Sequence, residues 1–223
     1  MRRFAELFQA LDASTATGDK VAALVHYFAE APPADAAWAV YFLAGGKPRQ
    51  VVPTGVLRAL ACQVAGVDDW LFEASYQAVG DLAETIALVL PDPGGGDDRG
   101  LAWWIEERLL PLRGLSPAEQ ALRIREDWRA LDAGGRFLYV KLIGGGFRVG
   151  VSKLLVQRAL AQHAGLDAKL VAHRMMGWTD ARATPSAARF AELTGGESGP
   201  ALDAGQPFPF FLAHALQAPP ESL

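Results

Sequence analysis

Apolar side chains recur along most of the chain at the three- and four-residue spacing of an amphipathic helix. Phe4, Leu7, Phe8 and Leu11 form the first such set. The spacing returns at Val21, Leu24, Val25 and Phe28, and again at Leu101, Trp104, Ile105 and Leu109. We find neither a convincing strand pattern nor an internal repeat. The pattern therefore predicts an all-α fold, a compact multi-helix domain of about ten to twelve helices.

Several helix boundaries can be read from capping residues. Ser116 followed by Pro117 is typical of a helix start. Asp81 is predicted to open another helix, and residues 14–19 supply N-cap candidates for the second helix. A helix over about 136–143 is predicted to end at a run of three glycines.

Large aromatic side chains are predicted to lie mostly in the core. The six tryptophans are interpreted as core residues more readily than as stacking platforms for bases. In the helix that begins near Asp68, we expect Trp70, Leu71 and Tyr76 to be buried. The single cysteine, Cys62, lies among apolar neighbours and is predicted to be a small core residue.

A polar, glycine-rich segment divides the chain. Residues 91–99 hold two prolines and three consecutive glycines, which predicts a linker between two helical lobes at about 1–90 and 100–200. Together the lobes form the helical domain, residues 1–200. The segment 203–212 contains three phenylalanines and two prolines and does not fit a helix, so we predict an extended connector over residues 201–223.

Charge is distributed unevenly. The formal net charge is −4, yet residues 136–189 carry nine Lys and Arg against two acidic residues. The nine cations are Arg136, Lys141, Arg148, Lys153, Arg158, Lys169, Arg174, Arg182 and Arg189. Such a basic block indicates an electrostatic footprint for an anionic partner. The alternative is that these cations pair with the acidic first half of the chain inside the fold.

The centre of this basic block is a glycine-rich loop that leads into a helix. Gly144–Gly146 precede Phe147, Arg148, Val149 and Gly150, and a helical pattern follows with Lys153 near its start. Unpaired amides at a helix start, with cations beside them, favour an anion such as a phosphodiester. The alternative is a glycine helix cap, a turn and two solvated cations.

A second loop has the same composition. Gly45, Gly46, Lys47 and Arg49 surround Pro48 on a segment that cannot continue a helix. The loop could contact a phosphate, or it could be an ordinary surface turn.

Other chemistries are not supported by motifs. The four histidines do not form pairs at metal-ligand spacing, and neither a phosphate-binding Walker loop nor a Gly-x-Ser-x-Gly elbow is present. No apolar run is long enough to predict a membrane span, and the N-terminal segment is a poor signal peptide. With one cysteine, an internal disulfide is excluded, and we expect a cytoplasmic protein.

In the order of its motifs, the chain resembles the all-helical N-terminal DNA-binding domain of bacterial ATP-dependent DNA ligases. The motifs are the turn Leu11-Asp-Ala-Ser-Thr-Ala-Thr17, the segment Tyr41-Phe-Leu-Ala-Gly45-Gly, and the loop Gly144-Gly-Gly-Phe-Arg148-Val-Gly150-Val-Ser-Lys153 followed by Val156-Gln-Arg-Ala-Leu160. The tail Asp203-Ala-Gly-Gln-Pro-Phe-Pro-Phe-Phe-Leu212 resembles the connector to the family's nucleotidyltransferase domain.

The resemblance implies sequence-independent binding of double-stranded or nicked DNA from the minor-groove side, in DNA replication, repair and recombination. It places Gly146, Arg148, Gly150 and Lys153 at backbone phosphates. Gly45, Gly46, Lys47 and Arg49 would form a second contact, and Thr15 and Thr17 are further candidates.

The chemistry of the family is expected elsewhere. In these ligases a lysine in a Lys-x-Asp-Gly motif is adenylated by ATP, and none of the five lysines here has that context. We therefore expect the DNA-binding portion of a ligase that binds DNA and does not seal it. ATP and Mg²⁺ would belong to the parent enzyme, together with its nucleotidyltransferase and OB domains.

Two other functions remain open from sequence. The chain could be a helical protein-interaction scaffold that uses the aromatic tail, Pro207–Leu212, or a small autonomous enzyme.

Overall fold

A computed structural model describes residues 1–47, 51–91, 96–144, 147, 149–180 and 184–196. In this part of the chain the architecture is all-α, with twelve α-helices and no strand, which confirms the predicted fold class. The helices are α1 (Arg2–Ala13), α2 (Thr17–Glu30), α3 (Pro33–Leu43), α4 (Thr54–Ala65), α5 (Asp69–Val79), α6 (Leu82–Val89), α7 (Leu101–Trp103), α8 (Pro117–Ala130), α9 (Ala133–Gly144), α10 (Lys153–Ala164), α11 (Ala168–Arg174) and α12 (Ala187–Thr194). A π-helical segment, Trp104–Leu109, and a 3₁₀ turn, Leu110–Leu112, continue α7.

Two predicted helix starts are confirmed by their hydrogen bonds. The Ser116 hydroxyl accepts from the Glu119 amide, and the Glu119 carboxylate accepts from the Ser116 amide in return, with Pro117 in the first turn. The Asp81 carboxylate accepts from the Glu84 amide at 3.0 Å. Such side-chain caps satisfy amide groups that have no partner within the helix.

Residues 14–19, by contrast, do not cap α2 as predicted. Its N-cap position is Ala16, which has no capping side chain. The Ser14 hydroxyl instead accepts from the Ala16 amide at 3.1 Å and donates to the Asp19 carboxylate at 2.9 Å. The hydroxyl closes the turn itself, so it cannot also serve the first amides of the helix.

Helices from both halves of the sequence pack against each other. The main pairs are α2 with α10, α3 with α12, α6 with α9, and α4 with α8, while α1 packs against α2 and α9. Apolar side chains from all twelve helices form the core. The lobes and the linker at 91–99 stay predictions; residues 92–95 and the connector 201–223 lie outside the described residues.

The tryptophans divide between core and surface. Trp38, Trp104, Trp128 and Trp178 are buried, as predicted, whereas Trp70 is 70% exposed. Leu71, 41% exposed, was also wrongly predicted to be buried. Helix α5 is covered on one side only, and Phe72 lies on that side. Successive residues of a helix are rotated by about 100°, so Leu71 and Trp70 point away from the covered side.

Two other core predictions can be judged. Tyr76, one turn after Phe72, is partly buried, and the Arg58 guanidinium lies 4.6 Å from the centre of its ring. Cys62 is buried as predicted, and this burial raises the pKa of its thiol.

A buried carboxylate ties three segments together behind the glycine-rich loop. Asp127 in α8 accepts from the Tyr139 hydroxyl of α9 and from Arg108 Nε of the π-helical segment, each at 2.5 Å. The residue is 2% exposed, and its burial raises the pKa of the carboxyl while both hydrogen bonds oppose the rise. Helix α9, which runs directly into the glycine-rich loop, is thereby fixed against α8.

Among the described helices, none combines the length and the apolar character needed to cross a bilayer.

Candidate nucleic-acid interface

The glycine-rich loop joins the end of α9 to the start of α10. Helix α9 ends at Gly144, and the Ser152 hydroxyl caps α10 by accepting from the Leu155 amide at 3.2 Å. Lys153 is the first residue of α10 and is exposed. The predicted helix start beside a cation is therefore present. The Ser152 cap occupies one of the amides that a helix start leaves without a partner, the Leu155 amide. The candidates Gly146 and Arg148 lie outside the described residues.

Phe147 anchors this loop to the helices of the first half. Its ring centroid lies 5.6 Å from those of Phe4 and Phe8 in α1 and 5.5 Å from that of Phe42 in α3. Aromatic pairs at such distances are stabilising beyond the area that they bury. The side chain thus fixes the loop close to the end of α3.

Lys20 in α2 holds the other side of the loop. Its ammonium donates to the Val149 carbonyl oxygen at 2.8 Å and to the Gly150 carbonyl oxygen at 3.2 Å. This contact spans 129 positions in sequence, and Lys20 is only 8% exposed. It brings the α1–α2 turn, with the exposed candidates Thr15 and Thr17, beside the glycine-rich loop.

Lys20 was not among the predicted site residues, yet the sequence holds a signal for it. It shares the apolar stripe of α2 with Val21, Leu24, Tyr27 and Phe28, all of which are buried. A lysine on the buried face of a helix needs acceptors inside the fold. The signal does not say where those acceptors are.

The second loop starts as a glycine-terminated helix end. Gly45 has φ +96°, in the left-handed region that favours glycine, and the Gly46 amide donates to the Tyr41 carbonyl at 2.8 Å. For these two glycines the described geometry is that of a helix end and turn, in line with the surface-turn alternative. Lys47 follows and is exposed, whereas Pro48 and Arg49 lie outside the described residues.

We expect Gly46→Ala to destabilise the fold by about 1–3 kcal/mol. A Cβ at this position would lie 2.6 Å from the Tyr41 carbonyl oxygen and 2.7 Å from its ring, so the chain would have to shift. Urea unfolding followed by circular dichroism measures the change. Gly55→Ala in α4 is the matched control, since its Cβ would meet nothing within 4 Å. The control should be neutral or slightly stabilising; an equal loss in both variants would contradict the prediction.

The contacts of Lys20 and Phe147 bring three segments together. We call them the loop surface: Thr15–Thr17, Gly45–Lys47 and Val149–Lys153. The first two segments are far from the third in sequence. Lys20, three positions after Thr17, contacts the third segment, and Phe42, three positions before Gly45, contacts Phe147, which lies two positions before Val149. The predicted phosphate contacts at these loops stay predictions; the structure shows only that residues next to the three segments lie close together.

The basic block is not one continuous face. The Arg136 guanidinium is buried and donates to the carbonyls of Trp128 and Pro91. Lys141 forms an ion pair with Asp81, as expected if the block paired with the first half.

Two further cations serve the fold. Arg174 donates to the Gly195 carbonyl at 2.6 Å, and Arg189 lies 4.7 Å from the centre of the Trp178 ring.

Among the described residues, three cations of the block remain available to a ligand. Lys153 and Arg158 in α10 and Lys169 in α11 are exposed, and none of them forms an ion pair within the described residues. Arg182, like Arg148, lies outside that part of the chain. The basic block is therefore not a single binding footprint, because Arg136, Lys141, Arg174 and Arg189 have partners inside the fold.

No group of three or more His, Cys, Asp and Glu that could hold a metal ion occurs in the described ranges.

Comparison with known families decides the relationship. A family model described as the DNA ligase N terminus matches residues 1–161. The chain belongs to this family. No curated protein matches the chain.

The matched region contains the whole loop surface and all the predicted site residues, from Thr15 to Lys153. It ends within α10, so α11 and α12 lie beyond it. The family's domain is part of DNA ligases, and these enzymes act on DNA.

Proposed function

We propose that this DNA ligase N-terminal domain binds duplex and nicked DNA without sequence preference. The loop surface would hold backbone phosphates and so position a nick for sealing. The sealing itself is assigned to a catalytic core outside this chain, because the chain contains no Lys-x-Asp-Gly nucleophile. ATP and Mg²⁺ are assigned to that core and to no residue described above.

The observation that carries the proposal is the convergence of the loop surface. Lys20 joins the α1–α2 turn to Val149 and Gly150, and Phe42 joins the end of α3 to Phe147. Lys47 and Lys153 are the exposed cations of this surface, and Lys153 is the first residue of α10. Amide groups and cations together are the usual donors to phosphate oxygens.

Contacts to backbone phosphates carry no information about the base sequence. Phosphate groups are the same at every step of a duplex, whereas base edges are read by side chains placed in a groove. An enzyme that seals nicks in any sequence requires the first kind of contact.

We expect Lys153→Ala and Arg158→Ala each to weaken DNA binding by a few-fold, equally for unrelated sequences. Each change removes an exposed cation without an ion pair in the described residues, and the slope of log affinity against log salt should become shallower by about 0.9. Fluorescence anisotropy with a labelled nicked duplex measures both quantities.

Arg123→Ala is the matched control for this pair. Arg123 is an exposed cation in α8, outside the loop surface, so its loss should change affinity by less than about twofold. An equal effect of all three changes would show that binding is not confined to the loop surface and α10.

A further inference from the structure

We infer that Lys20 is a positioning residue for DNA binding: it turns two peptide groups of the glycine-rich loop so that their N–H groups face a phosphate. The inference deepens the proposed function and rests on it. Lys20 itself is not required to contact the ligand.

The first step is the environment of the Lys20 ammonium. The side chain is 8% exposed, and within the described residues no carboxylate pairs with it. Its hydrogen bonds go to the carbonyl oxygens of Val149 and Gly150, at 2.8 and 3.2 Å. Burying an ammonium is costly unless its donors are satisfied, so this contact strongly constrains both carbonyls.

The second step follows from the planar trans peptide. In each peptide group the N–H points opposite to the C=O. Since the Val149 and Gly150 carbonyls point at Lys20, the amides of Gly150 and Val151 point away from it. No acceptor for either amide is found in the part of the chain that the structure describes. Two successive free amides beside the start of α10 form a concavity suited to an anion.

The third step is the backbone of Gly150. Its φ of +61° lies in the left-handed region, and a Cβ there would lie 2.7 Å from Lys20 Nζ. A side chain at this position would therefore oppose both the backbone conformation and the lysine contact. The glycine and the lysine act on one conformation of the loop.

The test begins with the chain free of DNA. In Lys20→Met, hydrogen exchange followed by mass spectrometry should show faster exchange at the start of α10, where the amides of Leu155 and Val156 donate to Ser152, with the remaining helices protected as in the wild type. The same variant should bind a labelled nicked duplex roughly tenfold more weakly. Lys141→Met is the control, because this lysine pairs with Asp81 rather than with the loop, and it should retain affinity within about twofold.

Gly150→Ala tests the same contact without removing a charge. It should weaken binding to a similar extent while leaving the salt slope unchanged, because every cation remains. The double variant should bind no more than about twofold more weakly than the weaker single variant, since both changes act through one loop conformation. If Lys20→Met does not fold, the affinity and salt slope of Gly150→Ala still decide the question.

The outcomes separate the inference from the function. A wild-type chain that does not bind DNA contradicts the proposed function, while the exchange experiment still reports on the lysine contact. A wild-type chain that binds, with full affinity retained in Lys20→Met or additive losses in the double variant, overturns the positioning role and leaves the function standing.

Discussion

Raising the salt concentration from 50 to 200 mM is expected to lower the affinity of this chain for nicked duplex DNA by about 10³-fold. Proteins that neutralise six phosphates lose about that much, because each neutralised phosphate releases counterions into the solution. Six cations are candidates for this role: the exposed Lys47, Lys153, Arg158 and Lys169, and Arg49 and Arg148, which lie outside the described residues. This change is larger than that expected for any single substitution in the loop surface.

The measurement uses anisotropy titrations at four or more salt concentrations. Two nicked duplexes of unrelated sequence and one intact duplex of the same length serve as ligands. The two nicked duplexes should give the same slope, because the proposed contacts are to phosphates. A flat salt profile, or a slope that depends on base sequence, would be incompatible with binding through these cations.

Helix periodicity predicted the fold class because it depends on local spacing alone. Ser116 with Pro117 and Asp81 marked their helix starts correctly for the same reason, since a cap acts within one turn. Trp70 and Leu71 were placed wrongly because burial depends on which neighbouring helix covers a face. That information lies in the tertiary packing and not in the composition of α5.

The candidate site was predicted in outline and not in detail. The sequence revealed a basic block, but it could not show that Arg136 would donate to backbone carbonyls or that Lys141 would find Asp81, 60 positions away. It revealed two glycine loops, but not that Phe147 would join them. Contacts between distant segments decide which cations a partner can reach, and only the structure describes those contacts.

The same reasoning explains how a buried lysine escaped the prediction. Lys20 precedes the apolar set that predicted α2, and its ammonium satisfies carbonyls on a loop from the other half of the chain. A charged residue on a buried face therefore indicates a distant polar partner. In this domain the partner belongs to the candidate interface.

Asp127→Ala is expected to destabilise the domain by about 3–5 kcal/mol. The change leaves the Tyr139 hydroxyl and Arg108 Nε without the carboxylate to which both donate at 2.5 Å. Removing one partner of a buried pair costs more than the pair contributes, because the hydroxyl stays out of water and the guanidinium, 27% exposed, is only partly hydrated. Urea denaturation followed by circular dichroism gives the free energy of unfolding.

The neighbouring Glu126 supplies a matched control for this change. Its carboxylate also contacts Arg108, at 3.2 Å, but its side chain is 68% exposed, so Glu126→Ala should cost no more than about 1 kcal/mol. Comparable losses in the two variants would show that charge balance, and not the buried network, stabilises this region. A large loss confined to Asp127→Ala would instead show that the buried hydrogen bonds of Asp127 hold α9 in place. In that case the loop surface can carry unpaired cations for a ligand without weakening the helices that hold it.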